Sequence, residues 1–103
     1  MAIVLVEQCF ETPLSDEAYG KLANKLDPCL EIRDAIWCRS YISGDKKRVV
    51  CEFEAPDAES VREAMRASGM PFERVWNATL VQIEDYPDFV QKREALRARL
   101  RGK

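Results

Sequence analysis

The hydrophobic pattern is clearest between Ala35 and Pro56, where two alternating runs flank a Gly44-Asp45 pair. Ile36, Cys38 and Ile42 alternate with Trp37, Arg39 and Tyr41 on the first run. Val49, Cys51 and Phe53 alternate with Val50, Glu52 and Glu54 on the return run. Period two on both sides of a turn dipeptide predicts a β-hairpin. A two-residue turn pairs Ser43 with Lys46, Cys38 with Cys51, and Trp37 with Glu52. A longer loop shifts the pairing by two residues and leaves each face intact.

The remaining chain is read around this hairpin. Ile3 to Phe10 is a strand, with Val4, Val6 and Phe10 on one face and Leu5, Glu7 and Cys9 on the other. Thr12-Pro13 ends it. Ser15 is an N-cap, followed by Asp16 and Glu17 in the first turn and by Tyr19, Leu22, Ala23 and Leu26 at helical spacing. Pro28 interrupts that helix, and Asp27-Pro28 reads as the start of a second short segment, or as a kink. Asp57 caps a helix over 58–68, which Gly69 and Pro71 terminate. Arg74 to Ile83 is the fourth strand. Tyr86-Pro87-Asp88 opens a last helix reaching about Arg101, with Phe89, Leu96 and Leu100 as its apolar stripe and its basic side in water.

The order β-α-β-β-α-β predicts an α+β, ferredoxin-like sandwich with strand order 4-1-3-2 and both helices on one face. Residues 1–85 form this domain, and residues 86–103 form a basic helical extension. The helix-covered face carries Val4, Val6, Phe10, Ile36, Cys38, Ile42, Val49, Cys51 and Phe53. The opposite face carries Leu5, Glu7, Cys9, Trp37, Arg39, Tyr41, Val50, Glu52 and Glu54, with Glu52 between Glu7 and Arg39. Bare Trp37, Leu5 and Val50 would make a sizeable apolar patch, which a second copy of the chain would cover. A homodimer is therefore expected. The candidate ligand pocket is Glu7, Trp37, Arg39, Tyr41 and Glu52: Arg39 grips an anion, Trp37 and Tyr41 stack, and the carboxylates balance charge. The competing reading of the same residues is an interface salt-bridge cluster with no ligand.

Composition narrows the chemistry. With 47% hydrophobic and 33% charged residues over 103 positions, the chain is a folded domain. No apolar run is long enough to span a membrane. The first residues lack a signal-peptide pattern, so a cytoplasmic location is expected. Net charge is −2, unevenly placed: residues 86–103 hold six basic and two acidic residues, leaving −6 on the remainder. The acidic body, and acids where stacking aromatics would sit on the central strand, argue against nucleic acid as a partner. Histidine is absent, which removes the commonest general base and metal ligand. The four cysteines have no Cys-x-x-Cys spacing and are expected as thiols. Cys38 and Cys51 read as small buried side chains in preference to a redox pair. Cys29, at the start of the supposed short helix, is either activated by the helix dipole or packed inward.

The string Trp37-Cys38-Arg39-Ser40-Tyr41, then Asp45-Lys46, Cys51 to Glu59, and Gly69-Met70-Pro71 resembles an uncharacterised bacterial family of small ferredoxin-like proteins. A described relative is a nickel-binding (nickel-responsive) protein. The resemblance covers roughly residues 3–83 and implies a homodimer. It makes nickel a candidate metal, which the absence of His disfavours; Cys, carboxylate or backbone ligands would have to serve. No metal ligand and no catalytic residue is assigned. A non-catalytic module binding a small anionic ligand or related to a metal is the leading function. The alternatives are a cofactor-free dimeric α+β barrel enzyme (monooxygenase or isomerase type) with Glu7 or Glu52 as base, and a purely structural or interaction protein.

Overall fold

A computed structural model describes residues 1–102; Lys103, the last basic residue of the tail, lies outside them. The elements are β1 (Ala2–Cys9), α1 (Asp16–Glu31), β2 (Ile36–Ile42), β3 (Arg48–Ala55), α2 (Ala58–Ser68), β4 (Arg74–Ala78), a 3-10 turn (Ile83–Asp85) and α3 (Pro87–Arg101). The four strands form one antiparallel sheet in the order β2-β3-β1-β4, the ferredoxin-like arrangement.

The inner face is apolar because every second residue of β1 and β3 is. Val4, Val6, Val49, Cys51, Phe53 and Ala55 are buried against Leu26 and Leu30 of α1 and Val61, Ala64 and Met65 of α2. Gln8 is the exception, a polar side chain only 1% exposed in the middle of this face. Helix ends follow local chemistry. Ser15 accepts from the Ala18 amide, Asp57 accepts from Ser60, and Gly69 adopts the left-handed conformation at φ 75° that terminates α2.

Four expectations are corrected. Helix α1 runs continuously through Pro28, so Asp27 is not an N-cap. Pro28 lies in the last turn, which the burial of Leu30 in the core holds helical. Cys29 is consequently inside a helix, its thiol directed at the Lys25 carbonyl at 3.9 Å, and the dipole argument for its activation falls. Strand β4 ends at Ala78, where its pairing with Ile3 runs out, so Leu80 and Val81 are exposed connectors. The hairpin loop is longer than two residues: Ser43 donates to Arg48 O, Ile42 pairs with Val49, and Lys46 takes a left-handed φ of 64°. Asp45 organises it, accepting from Ser43 Oγ at 2.6 Å and from the Lys47 amide at 3.1 Å. Those bonds lower its carboxyl below the usual range.

The fourth correction bears on the candidate site. The longer loop alone would preserve both faces, but a β-bulge between Trp37 and Arg39 adds one further residue to β2. One extra residue reverses the facing of everything beyond it. Arg39 and Tyr41 keep the open face, opposite Glu52 and Val50, while Trp37 turns inward opposite Phe53 and Ile36 turns outward opposite Glu54. Ser40, not Cys38, faces Cys51.

Candidate functional site

The open face is built in cross-strand rows. Arg39, Glu52, Leu5 and Trp76 form one row across β2, β3, β1 and β4. Tyr41, Val50, Glu7 and Arg74 form the next. Glu52 thus lies between Arg39 and Leu5, and Glu7 sits diagonally from it, beside Val50. The structure brings Glu7, Arg39, Tyr41 and Glu52 onto one face and places Trp37 on the other.

Trp76 takes the aromatic position on this face. Its indole Nε1 donates to Glu7 Oε2 at 3.0 Å, fixing both side chains. The signal that would have found it is the alternation Val75-Trp76 within a strand whose even position pairs with Leu5. Arg39 and Glu52 are only loosely joined, Nε to Oε1 at 3.7 Å, beyond hydrogen-bonding distance. The Arg39 side chain is 59% exposed and that of Glu52 17%. Tyr41, Val50, Ile36 and Trp76 are exposed around them. A cation with donors to spare, set among aromatic and aliphatic surface, can hold a planar anion through two parallel N–H bonds. Cys38, in the bulge, also lies toward the acids: partial burial and the Glu54 and Glu52 carboxylates push its thiol up.

A second polar group, which the sequence did not suggest, lies under α1. Trp37 Nε1 donates to Ser40 Oγ at 2.9 Å, and Tyr19 OH meets the same oxygen at 2.9 Å. Ser40 Oγ is 3.0 Å from Cys51 Sγ, and that thiol points to Gln8 Oε1 at 3.6 Å. Gln8 Nε2 donates to Pro71 O at 2.8 Å. Burial pushes the Tyr19 phenol up to about 12 and raises the Cys51 thiol as well. The adjoining cavity, lined by Tyr19, Leu26, Trp37, Phe53 and Met70 among others, measures about 30 Å³. That holds one or two waters, not a substrate. This chain of hydrogen bonds is core architecture that ties β1, β2, β3 and α1 together.

A nickel centre does not fit the donors of one chain. There is no histidine, and among the described residues no three Cys, Asp or Glu side chains converge on a common point.

The strand order and the helices on one side of the sheet define a small ferredoxin-like domain whose other sheet face is uncovered. The chain belongs to the family described as nickel responsive protein SCO4226-like, which it matches over residues 5–77. It is similar to the crystal structure of SCO4226 from Streptomyces coelicolor A3(2), with a TM-score of 0.71 at 11% identity over 79% of this chain and 100% of that one. At that identity the likeness speaks to the fold. A search of the curated proteins found no match. Helix α3 lies wholly beyond the family-matched residues. Among the described residues, no helix is long and apolar enough to cross a membrane.

Proposed function

We propose that this chain is a non-catalytic binding module that works as a homodimer, its two open sheet faces enclosing a site for a small anionic ligand. Arg39 grips the anion. Tyr41 and Trp76 supply flat apolar surface, and Glu7 and Glu52 exclude ligands of higher negative charge. The observation that carries this reading is the loosely held, exposed side chain of Arg39 on the edge strand of an uncovered face that also presents Tyr41, Val50 and Trp76. The exposure of Ile36, Tyr41, Val50 and Trp76 supports the dimer, since a second copy packed on this face would remove them from water.

The test is a thermal-shift panel of benzoate, oxalate, citrate and inorganic phosphate on wild type and Arg39→Ala. At a hundredfold excess over Kd a bound anion adds about 2.7 kcal/mol. At least one anion is expected to raise the wild-type Tm by several degrees and to leave Arg39→Ala unmoved. An equal response in both proteins, or none in wild type, defeats the proposal.

A further inference from the structure

Helix α3 is built to lie on something it does not touch in the single chain. Its only packed neighbour among the described elements is the Ile83–Asp85 turn, and none of its residues is buried. Phe89, Leu96 and Leu100 recur at i, i+7 and i+11, one line along the helix, and are 59%, 44% and 53% exposed. The basic residues do not occupy the opposite side, as the sequence suggested. At 100° per residue, Lys92 and Arg99 run along one flank of the apolar line and Arg93 and Arg97 along the other. Arg93 and Arg97 are paired with Glu84 and Glu94, so the basic flank is that of Lys92 and Arg99; an apolar line with such a flank fits an apolar groove bordered by acids.

Such a groove exists at the β2 edge. It is a hollow of about 280 Å³ between the end of α1 and β2, lined by Asp27, Glu31, Ala35, Ile36 and Trp37. Ile36 and Trp37 are about half exposed there, at 55% and 50%. Asp27 and Glu31 are four residues apart on α1 and so share a face. The chain's own α3 does not reach it: α3 follows β4, at the opposite edge of the sheet. Three strand spacings, about 14 Å, separate the two edges. If two open faces pack about a two-fold axis parallel to the strands, the β4 edge of one copy falls beside the β2 edge of the other.

We infer that α3 is an exchanged arm: in the homodimer it docks through Phe89, Leu96 and Leu100 into the Asp27–Glu31–Ile36–Trp37 groove of the partner copy. The inference rests on the face-to-face dimer proposed above and adds a contact which that dimer does not require.

Charge reversal separates the two. D27R/E31R turns the groove basic, and K92E/R99E turns one flank of the arm acidic; all four positions are on the surface. Dimer dissociation constants are measured on the full chain by sedimentation equilibrium. Each variant alone is expected to dimerise about tenfold more weakly than wild type, through like-charge contacts at both arms. An equimolar mixture of the two is expected to recover wild-type affinity. In the mixed dimer each arm meets a groove of opposite sign. Wild-type affinity in both single variants overturns the exchanged arm and leaves the face-to-face dimer standing. Weakening without recovery on mixing also overturns it, pointing to an arm that folds onto its own chain or binds another acidic protein. A monomeric wild type removes both proposals.

Discussion

Tyr19, Gln8 and Arg39 show how differently single residues can be constrained in one small domain. The Tyr19 phenol is half-buried and shares Ser40 Oγ and Cys51 Sγ as neighbours. Burial, and then the Cys51 contact, raise it to about 12 from an ordinary value of 10.0. The folded state therefore holds this proton more tightly than the unfolded chain does. The corresponding stability is complete below pH 10 and is lost as pH climbs toward 12. Urea midpoints at rising alkaline pH should fall less steeply for Tyr19→Phe than for wild type; parallel curves would exclude Tyr19 as the source. Gln8 is constrained by geometry. Replacing it with Leu removes its hydrogen bond to the Pro71 carbonyl, at a cost of about 0.5–1.5 kcal/mol read by urea denaturation. Arg39, by contrast, is constrained by little in the single chain, which is why its loss should be felt in ligand response more than in folding.

At the level of the element, β2 is the instructive case. Its sequence alternates cleanly, and plain alternation places Trp37, Arg39 and Tyr41 together. The bulge breaks that inference, because Cys38 is an extra residue with no single partner on β3. Deleting Cys38 tests this directly. With the bulge, the deletion restores regular pairing and leaves Trp37 inward, so stability should change by only about 1 kcal/mol. Acrylamide quenching of Trp37, followed in a Trp76→Phe background, should stay close to its starting value. A marked change in the quenching of Trp37 after the deletion, as the side chain crosses from one face to the other, would mean that β2 had been regular all along. Helix α1 teaches a similar lesson: Pro28 reads as a breakpoint, yet Leu30 is buried in the core, and that packing holds the last turn helical.

For the whole molecule, shape carries the argument. The radius of gyration is 16.8 Å, against about 13 Å for a compact chain near this length. The excess comes from α3, which extends the domain to 49 Å in its longest dimension. Charge is divided the same way, a basic arm on an acidic body. Membership in a nickel-responsive family raises a further question at this scale. With no histidine in the sequence and no three converging donors among the described residues, a single chain offers no set of ligands for tight nickel binding. Untagged protein incubated with nickel and dialysed should retain far less than one ion per chain by elemental analysis. One ion per chain or per dimer would require donors assembled across the interface.

The order of elements, the strand order, the two helix caps at Ser15 and Asp57, the Gly69 stop and the buried faces of β1 and β3 were legible in the sequence. Each depends on local backbone chemistry or on a strict period of two or 3.6. So was most of the open face: Glu7, Arg39, Tyr41 and Glu52 lie on strands whose alternation is unbroken up to the bulge. What only the tertiary structure decided was the register of β2. The bulge answers to the Trp37–Ser40–Tyr19 hydrogen bonds on the α1 side and to pairing with a strand already fixed by β1, contacts that no local pattern encodes. That one-residue offset turned Trp37 inward and Ile36 outward at the β2 edge, where both line the groove proposed for α3.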